Sequence, residues 1–319
     1  MRRTIRKTRK THKIRKNKKK VQRFTKCGGA EGENQSESAC KYISSTGFQL
    51  ASDVVNTLPT SDYSIVYCKA DLLGKAQDNW PFLDKIDKKY ILVIGQSDYS
   101  PSEIFGDRYD KYVNDSKCIH VFSQNCDIID HKITHIPIGL DYHTLKGKSC
   151  GWGPQQTPKQ QDAELQSVKD SSLPFHERKL QCYANFDRGH ISQKRHGQGR
   201  INSINKIPQE LLYFQESALP RLDIWKAQSQ YAFVISPHGN GLDCHRTWEA
   251  LCLGCITIVR ESPLDPLYDE LPVLIVKEWS DVTKELLETT VNTFKDKKFN
   301  YDKLLMSYWV NKIHSYKKH

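Results

Sequence analysis

The sequence predicts an α/β protein with two Rossmann-like domains behind a disordered basic N-terminal tail. Short apolar runs of strand length recur through residues 46–300, and the intervals between them suit helical crossovers, which build parallel sheets. A Gly-, Gln-, Lys-, Pro- and Ser-rich stretch over residues 147–177 divides these runs into two sets. Residues 231–259 then spell out strand, glycine loop, helix and strand in one continuous segment.

The charge is unevenly placed. Residues 1–26 hold 14 Lys and Arg and no acid, so the rest of the chain, with 34 basic and 37 acidic residues, carries −3. A basic, low-complexity segment of this kind has too little apolar surface to fold alone. It is expected to contact a polyanion or an anionic membrane surface, or to act as a nuclear-localisation-like signal. With a Gly-, Ser-, Glu- and Gln-rich linker over 27–45, residues 1–45 form the tail. No run approaches the roughly 20 apolar residues of a transmembrane helix. The basic start has no apolar stretch behind it, so no secretory signal is expected and the location expected is cytoplasmic or virion-associated. The ten Cys form no regular framework and several fall in expected strands, which reads as buried free thiols.

The first domain spans 46–146. Its expected strands are Tyr63–Tyr67, Tyr90–Ile94, Cys118–Phe122 and Ile133–Ile138. Ser100-Pro101-Ser102-Glu103 is a capping box with proline at the first helical position, so a helix starts there. After the 147–177 connection, with a short helix near 162–169, the second domain covers 178–300. Its expected strands are Leu180–Tyr183, Leu211–Phe214, Tyr231–Ile235, Cys255–Val259 and Val273–Val276. Ser262-Pro263 reads as a further helix start, and a last helix over 301–319 is expected to pack back onto the body.

The segment from Tyr231 to Val259 carries the chemistry. Gly239 and Gly241 permit close backbone approach and positive φ. Asp243 is expected to cap a helix through Leu253, whose free N–H groups favour a phosphate. Arg246 in the first turn opposes the helix dipole, which is sensible if an anion neutralises it. Glu249 shares its face and could accept from ribose hydroxyls, with a plain Arg246–Glu249 ion pair as the competing reading. His238 and His245 flank the loop as cap residues or as phosphate or sugar contacts. The pattern is neither a Walker loop nor a full GxGxxG, and no nucleophile elbow, HExxH or Asp-x-Asp occurs. No metal site is expected. Group transfer from a nucleoside diphosphate would need a base, for which Asp98, Asp141 and His143 at strand ends of the first domain are the candidates.

Ser236-Pro-His-Gly-Asn-Gly-Leu-Asp-Cys-His-Arg-Thr-Trp-Glu-Ala-Leu-Cys-Leu-Gly-Cys-Ile256 resembles the donor-site motif of exostosin-like glycosyltransferases, above all their ribitol β-1,4-xylosyltransferase branch. Residues 136–143 and 263–272 also fit that group. The resemblance implies a GT-B fold, a UDP-sugar donor with no other cofactor, a glycan or other hydroxyl acceptor, and inversion. It places Arg246 on the diphosphate and Glu249 on the ribose. A basic tail in place of a membrane anchor departs from the family and suits a large DNA virus. Two other readings stand beside it: a non-catalytic nucleic-acid-binding protein using the tail, and an inactive nucleotide-sugar-binding protein.

Overall fold

The computed structural model describes residues 36–74, 81–187, 195–196 and 199–318. The described residues fall in one compact unit, built on two parallel five-stranded sheets. The basic tail lies outside the described residues.

The first sheet holds β1 (Val54–Val55), β2 (Ser64–Lys69), β3 (Tyr90–Gly95), β4 (Cys118–Ser123) and β5 (Ile133–His135), in that spatial order. Buried on both faces, its central strands are near-continuous apolar runs, and their side chains alternate between two cores. Ile65, Tyr67, Ile91, Val93 and Phe122 face one core; Val66, Cys68, Leu92, Ile94 and Val121 face the other. A sheet whose strands follow one another in sequence places all its right-handed crossovers on one face. Ile104, Phe105 and Tyr112 of those crossovers cover that face. The opposite face is covered from the chain's ends, by Phe48 of the helix Ser45–Leu50 and by Trp309 and Ile313 of the helix Met306–Ser315.

The second sheet holds β6 (Lys179–Ala184), β7 (Leu212–Phe214), β8 (Tyr231–Ile235), β9 (Ile256–Arg260) and β10 (Val273–Val276). Its spatial order is β10-β9-β8-β6-β7. The order reverses between β6 and β8, and at such a switch point the loops leaving the two strands part and open a crevice at their carboxyl ends. Val234 and Val259 join the core shared with the first sheet, while Phe233, Ile235, Ile256 and Ile258 pack on the far side. Two Rossmann-like sheets sharing a core, with a C-terminal helix returned to the first, match the expected GT-B-type layout. No described helix is long and apolar enough to cross a membrane.

Several expectations need correction. The linker was expected to run to residue 45, yet Glu37, Cys40, Tyr42 and Ile43 are buried. The cause is polar cross-linking: Asp162 accepts from the backbone N–H of Lys41 (3.1 Å) and Tyr42 (3.3 Å) and from the Tyr142 hydroxyl (2.6 Å). The helix carrying Asp162 is longer than expected, Pro158–Asp170, and starts at a Thr157/Gln160 capping box. Ser262-Pro263 leads only to a 3-10 turn, Asp265–Tyr268. Asp243 does not cap its helix. His245–Cys252 begins after an N-cap at Cys244, and Asp243 is instead a buried cross-link to the first sheet's loops.

Candidate active site

The Asp243 carboxylate accepts from Ile138 N–H (2.7 Å), Cys244 N–H (2.8 Å) and Trp248 Nε1–H (2.8 Å). Burial pushes its pKa up to about 6 against the pull of those donors. The backbone N–H of Asp243 donates to Asn125 Oδ1 (2.7 Å), while Asn125 Nδ2 donates to Ser97 O (2.7 Å). Gly241 faces this bridge, and a Cβ there would lie 2.7 Å from Asn125 Oδ1. Close approach is therefore the reason for that glycine. Contrary to expectation, neither Gly239 nor Gly241 has positive φ; Gln96 (φ 53°) and Asn125 (φ 49°), at the ends of β3 and β4, do.

At the switch point the loops after β6 and β8, with the helix His245–Cys252, wall a cavity of about 950 Å³. Arg200, Arg246, Glu249, Trp152, Phe186 and Phe214 line it. The guanidinium of Arg246 lies 5.2 Å from the Phe186 ring centre and that of Arg200 5.9 Å from it. Their hydrogen bonds go to neutral acceptors: Arg246 Nε to Asn185 Oδ1 (3.2 Å) and Arg200 Nη1 to Asp187 O (3.2 Å). Arg200 Nε is buried with no hydrogen-bond partner among the described residues. Neither guanidinium makes a salt bridge with a described carboxylate; Arg246 and Glu249 feel one another's charge without closing into the simple pair. Burial, and after it the charge of Arg200, press the Arg246 pKa below its ordinary value. Burial raises that of Glu249 despite nearby Arg221.

A second cavity, of about 1000 Å³, opens at the carboxyl ends of β2 and β3. Glu37, Thr46, Gln49 and Gln96 line it with His143. Gln96 Nε2 donates to Gln49 Oε1 (2.9 Å), and Ser44 Oγ donates to Glu37 Oε2 (2.6 Å). Asp98, Ile138, Asn240 and His245 line both cavities and so mark where they meet.

The expected base residues fall into different situations. Asp98 sits on the shared wall, where its Oδ2 accepts from Asn240 Nδ2 (2.6 Å) and its carbonyl from Arg195 (2.9 Å). Asp141 is buried and saturated: it accepts from Thr144 N (3.0 Å), Thr144 Oγ1 (2.7 Å) and His143 Nδ1 (2.9 Å), and pairs with Arg221 at 3.4 Å. Although burial acts to raise it, the His143 contact and the neighbouring cations hold its carboxyl well below the usual range. His143, 62% exposed in its side chain, has its pKa raised by the same contact. His245 Nδ1 donates to Gly139 O (2.6 Å), and its ring centre is 6.1 Å from that of His143. Burial lowers the His245 pKa. His238 is spent within its own loop, donating from Nδ1 to Leu242 O (2.7 Å), and lines neither cavity.

The structure thus brings Gly239, Gly241, His245, Arg246 and Glu249 to one cavity with Asp98 and Asp141, and leaves His238 out. Sequence reasoning missed Arg200, Trp152, Arg221 and Glu37. Only Trp152 left a signal, as the one tryptophan in a polar connection. Among the described residues no group of His, Cys, Asp and Glu could hold a metal ion.

No protein-family model matches the sequence, and no curated protein matches it. Among solved structures the chain is similar to OtsA in its apo form, with a TM-score of 0.40 and 11% identity over 81% of this chain and 74% of that one. It is also similar to a structure described as trehalose-6-phosphate from E. coli bound with UDP-2-fluoro glucose, with a TM-score of 0.34 and 10% identity over 81% of this chain and 72% of that one.

Proposed function

We propose that the chain is a metal-independent glycosyltransferase that moves a sugar from a UDP-sugar to a hydroxyl of a glycan or similar acceptor, with inversion. One observation carries the reading. Two half-buried guanidiniums, Arg200 and Arg246, share a cavity at a sheet's switch point, and neither makes a salt bridge with a described carboxylate. Like charges held together on one half-buried wall repel each other, and an anion with two phosphoryl groups offsets that repulsion. Arg200 and Arg246 then stabilise the departing diphosphate, the role a divalent cation fills elsewhere. Glu249, three residues after Arg246 on the same wall, is the acceptor for ribose hydroxyls. The acceptor substrate takes the second cavity, whose amides and hydroxyls suit a polyhydroxylated molecule.

The test is UDP binding followed by turnover. UDP should raise the melting temperature of the purified protein in EDTA, and a panel of UDP-sugars should show UDP release that EDTA leaves intact. Proton NMR of the product should show the anomeric configuration inverted. Absence of a shift with UDP and with every other nucleoside diphosphate would sink the reading.

A further inference from the structure

We propose that His245 is the catalytic base, taking the acceptor's proton on Nε2 where the two cavities meet. The inference deepens the reading above and rests on it. A base for this transfer must reach both the acceptor hydroxyl and the anomeric carbon, so it belongs on the wall common to both cavities. Asp98, Ile138, Asn240 and His245 form that wall, and only Asp98 and His245 can take a proton. Asp98 has its Oδ2 held by the Asn240 amide at 2.6 Å. His245 is set up differently. Its Nδ1 lies 2.6 Å from the Gly139 carbonyl, and a carbonyl only accepts, so Nδ1 carries the hydrogen. That fixes the tautomer and leaves Nε2 with the basic lone pair.

The groups facing His245 support the assignment. They are the Gly139 carbonyl on its Nδ1, Asp141, His143 and Arg221, with burial the largest influence and a lowering one. His143, against Asp141, is pushed the other way. Two histidines 6.1 Å apart between ring centres are thereby separated into a neutral one and a more readily charged one, the division that marks acid and base partners. His143 lines the acceptor cavity alone and Asp141 the donor cavity alone. Together they act as an electrostatic support beside the base.

In the step itself the acceptor oxygen bonds to the anomeric carbon. The bond from that carbon to the diphosphate oxygen breaks, and its electron pair leaves with UDP. The acceptor's proton passes to His245 Nε2, and the resulting imidazolium later gives it to solvent.

His245→Asn tests this, because the asparagine amide can still donate to the Gly139 carbonyl while the Nε2 lone pair is gone. The variant should keep the melting shift with UDP. Its UDP release from the UDP-sugar that the wild type uses should fall at least about 100-fold, the range of a lost general base, with the donor KM within about threefold. A variant that keeps its rate within about threefold overturns the proposal and leaves the donor-site reading standing. A wild type that neither binds UDP nor releases it overturns both. Histidine-selective nitrogen NMR of the wild type gives an answer independent of variant folding. It should find His245 protonated on Nδ1 and not on Nε2, and the reverse tautomer overturns the assignment.

Discussion

Arg200→Met isolates the charge that the donor-site reading most depends on. The methionine stem still packs on Phe186, where the guanidinium lies 5.9 Å from the ring centre, so packing changes little. What is lost is one of two positive charges on the cavity wall. At a separation on the order of 10 Å and an effective dielectric of about 20, two such charges repel by roughly 1.5 kcal/mol. Removing one relieves that repulsion and also frees the protein of a buried Nε without a hydrogen-bond partner among the described residues. The unliganded protein should therefore keep its stability to within about 1 kcal/mol.

Binding should respond in the opposite sense. A charge-assisted contact to phosphate is worth about 1.5–3 kcal/mol, or roughly 10- to 150-fold in affinity. At a UDP concentration about 100 times the wild-type Kd, linkage stabilises the fold by about 2.7 kcal/mol. A 100-fold weaker variant retains about 0.4 kcal/mol under the same conditions. For a body of this size about 1 kcal/mol moves the melting temperature by about 2 °C, so a shift of about 5 °C should shrink to under 1 °C. Differential scanning fluorimetry with UDP, inorganic pyrophosphate and uridine separates the contributions. Pyrophosphate should lose its effect along with UDP, and the small effect of uridine should be unchanged. A full UDP shift in Arg200→Met would refute the two-arginine clamp, and if Arg246→Met alone removed the shift, the anion would be held by Arg246 and the helix end.

Two further outcomes concern stability. Asp141→Asn leaves Arg221 as a buried charge without its carboxylate and should cost about 3–5 kcal/mol in denaturant unfolding. Because the folded Asp141 pKa is depressed, its stabilisation is present above the unfolded value of about 3.9 and is lost as pH falls below it, so the variant's stability should also vary less below pH 4. His120 stacks on Tyr316 at 4.2 Å, and burial, followed by Lys312 and Lys132, lowers its pKa to about 4. The unfolded chain takes the proton near pH 6.5, so this contribution is intact above that pH and falls by roughly 2 kcal/mol by pH 5. Tyr316→Ala, which opens the ring to water, should flatten the melting-temperature profile between pH 7 and 5, and an unchanged profile would place the acid sensitivity elsewhere.

Most strands were legible because doubly buried parallel strands are written as near-continuous apolar runs. β1, two residues long, is too short to leave such a run. The loop and helix after β8 were legible for another reason: Gly239 to Glu249 lie within one segment, so spacing alone relates them. Arg200 is brought to Arg246 by the fold, with both guanidiniums near the Phe186 ring, a relation that no spacing rule encodes. Residues 36–45 were misread because their composition is that of a linker. They are held by hydrogen bonds to Asp162 and by a few apolar anchors, and a pattern search that looks for apolar periodicity passes over a segment secured by polar cross-links. Asp243 failed in a related way. It occupies a position suited to a cap, but carboxylates bind whichever donors the tertiary fold supplies, and here these come from Ile138 and Trp248.

The two sheets reach their cavities by different routes, and the difference explains why the acceptor side is hard to read. The second sheet reverses its strand order between β6 and β8, so its crevice follows from topology and is lined by loops adjacent to those strands. The first sheet never reverses, and the carboxyl end of a sheet without a switch point has no comparable opening. Its cavity has to be assembled by laying another segment over the strand ends, and Glu37, Ser45, Thr46 and Gln49 supply it. Holding that wall in place requires backbone outside the favoured regions, at Gln96 and Asn125. Such conformations cost about 1–3 kcal/mol each and persist only where neighbours over-determine them. Gln124 Oε1 accepts from Gln96 N–H at 2.9 Å, and Asn125 is fixed at both ends of its amide by Ser97 and Asp243. Of the two, Gln96 ties the strand end to the overlaid segment through Gln49, and Asn125 joins the first sheet's strand ends to the loop of the second. Their strain is local, while the bonds around Asn125 run from the first sheet's Ser97 to the second sheet's Asp243.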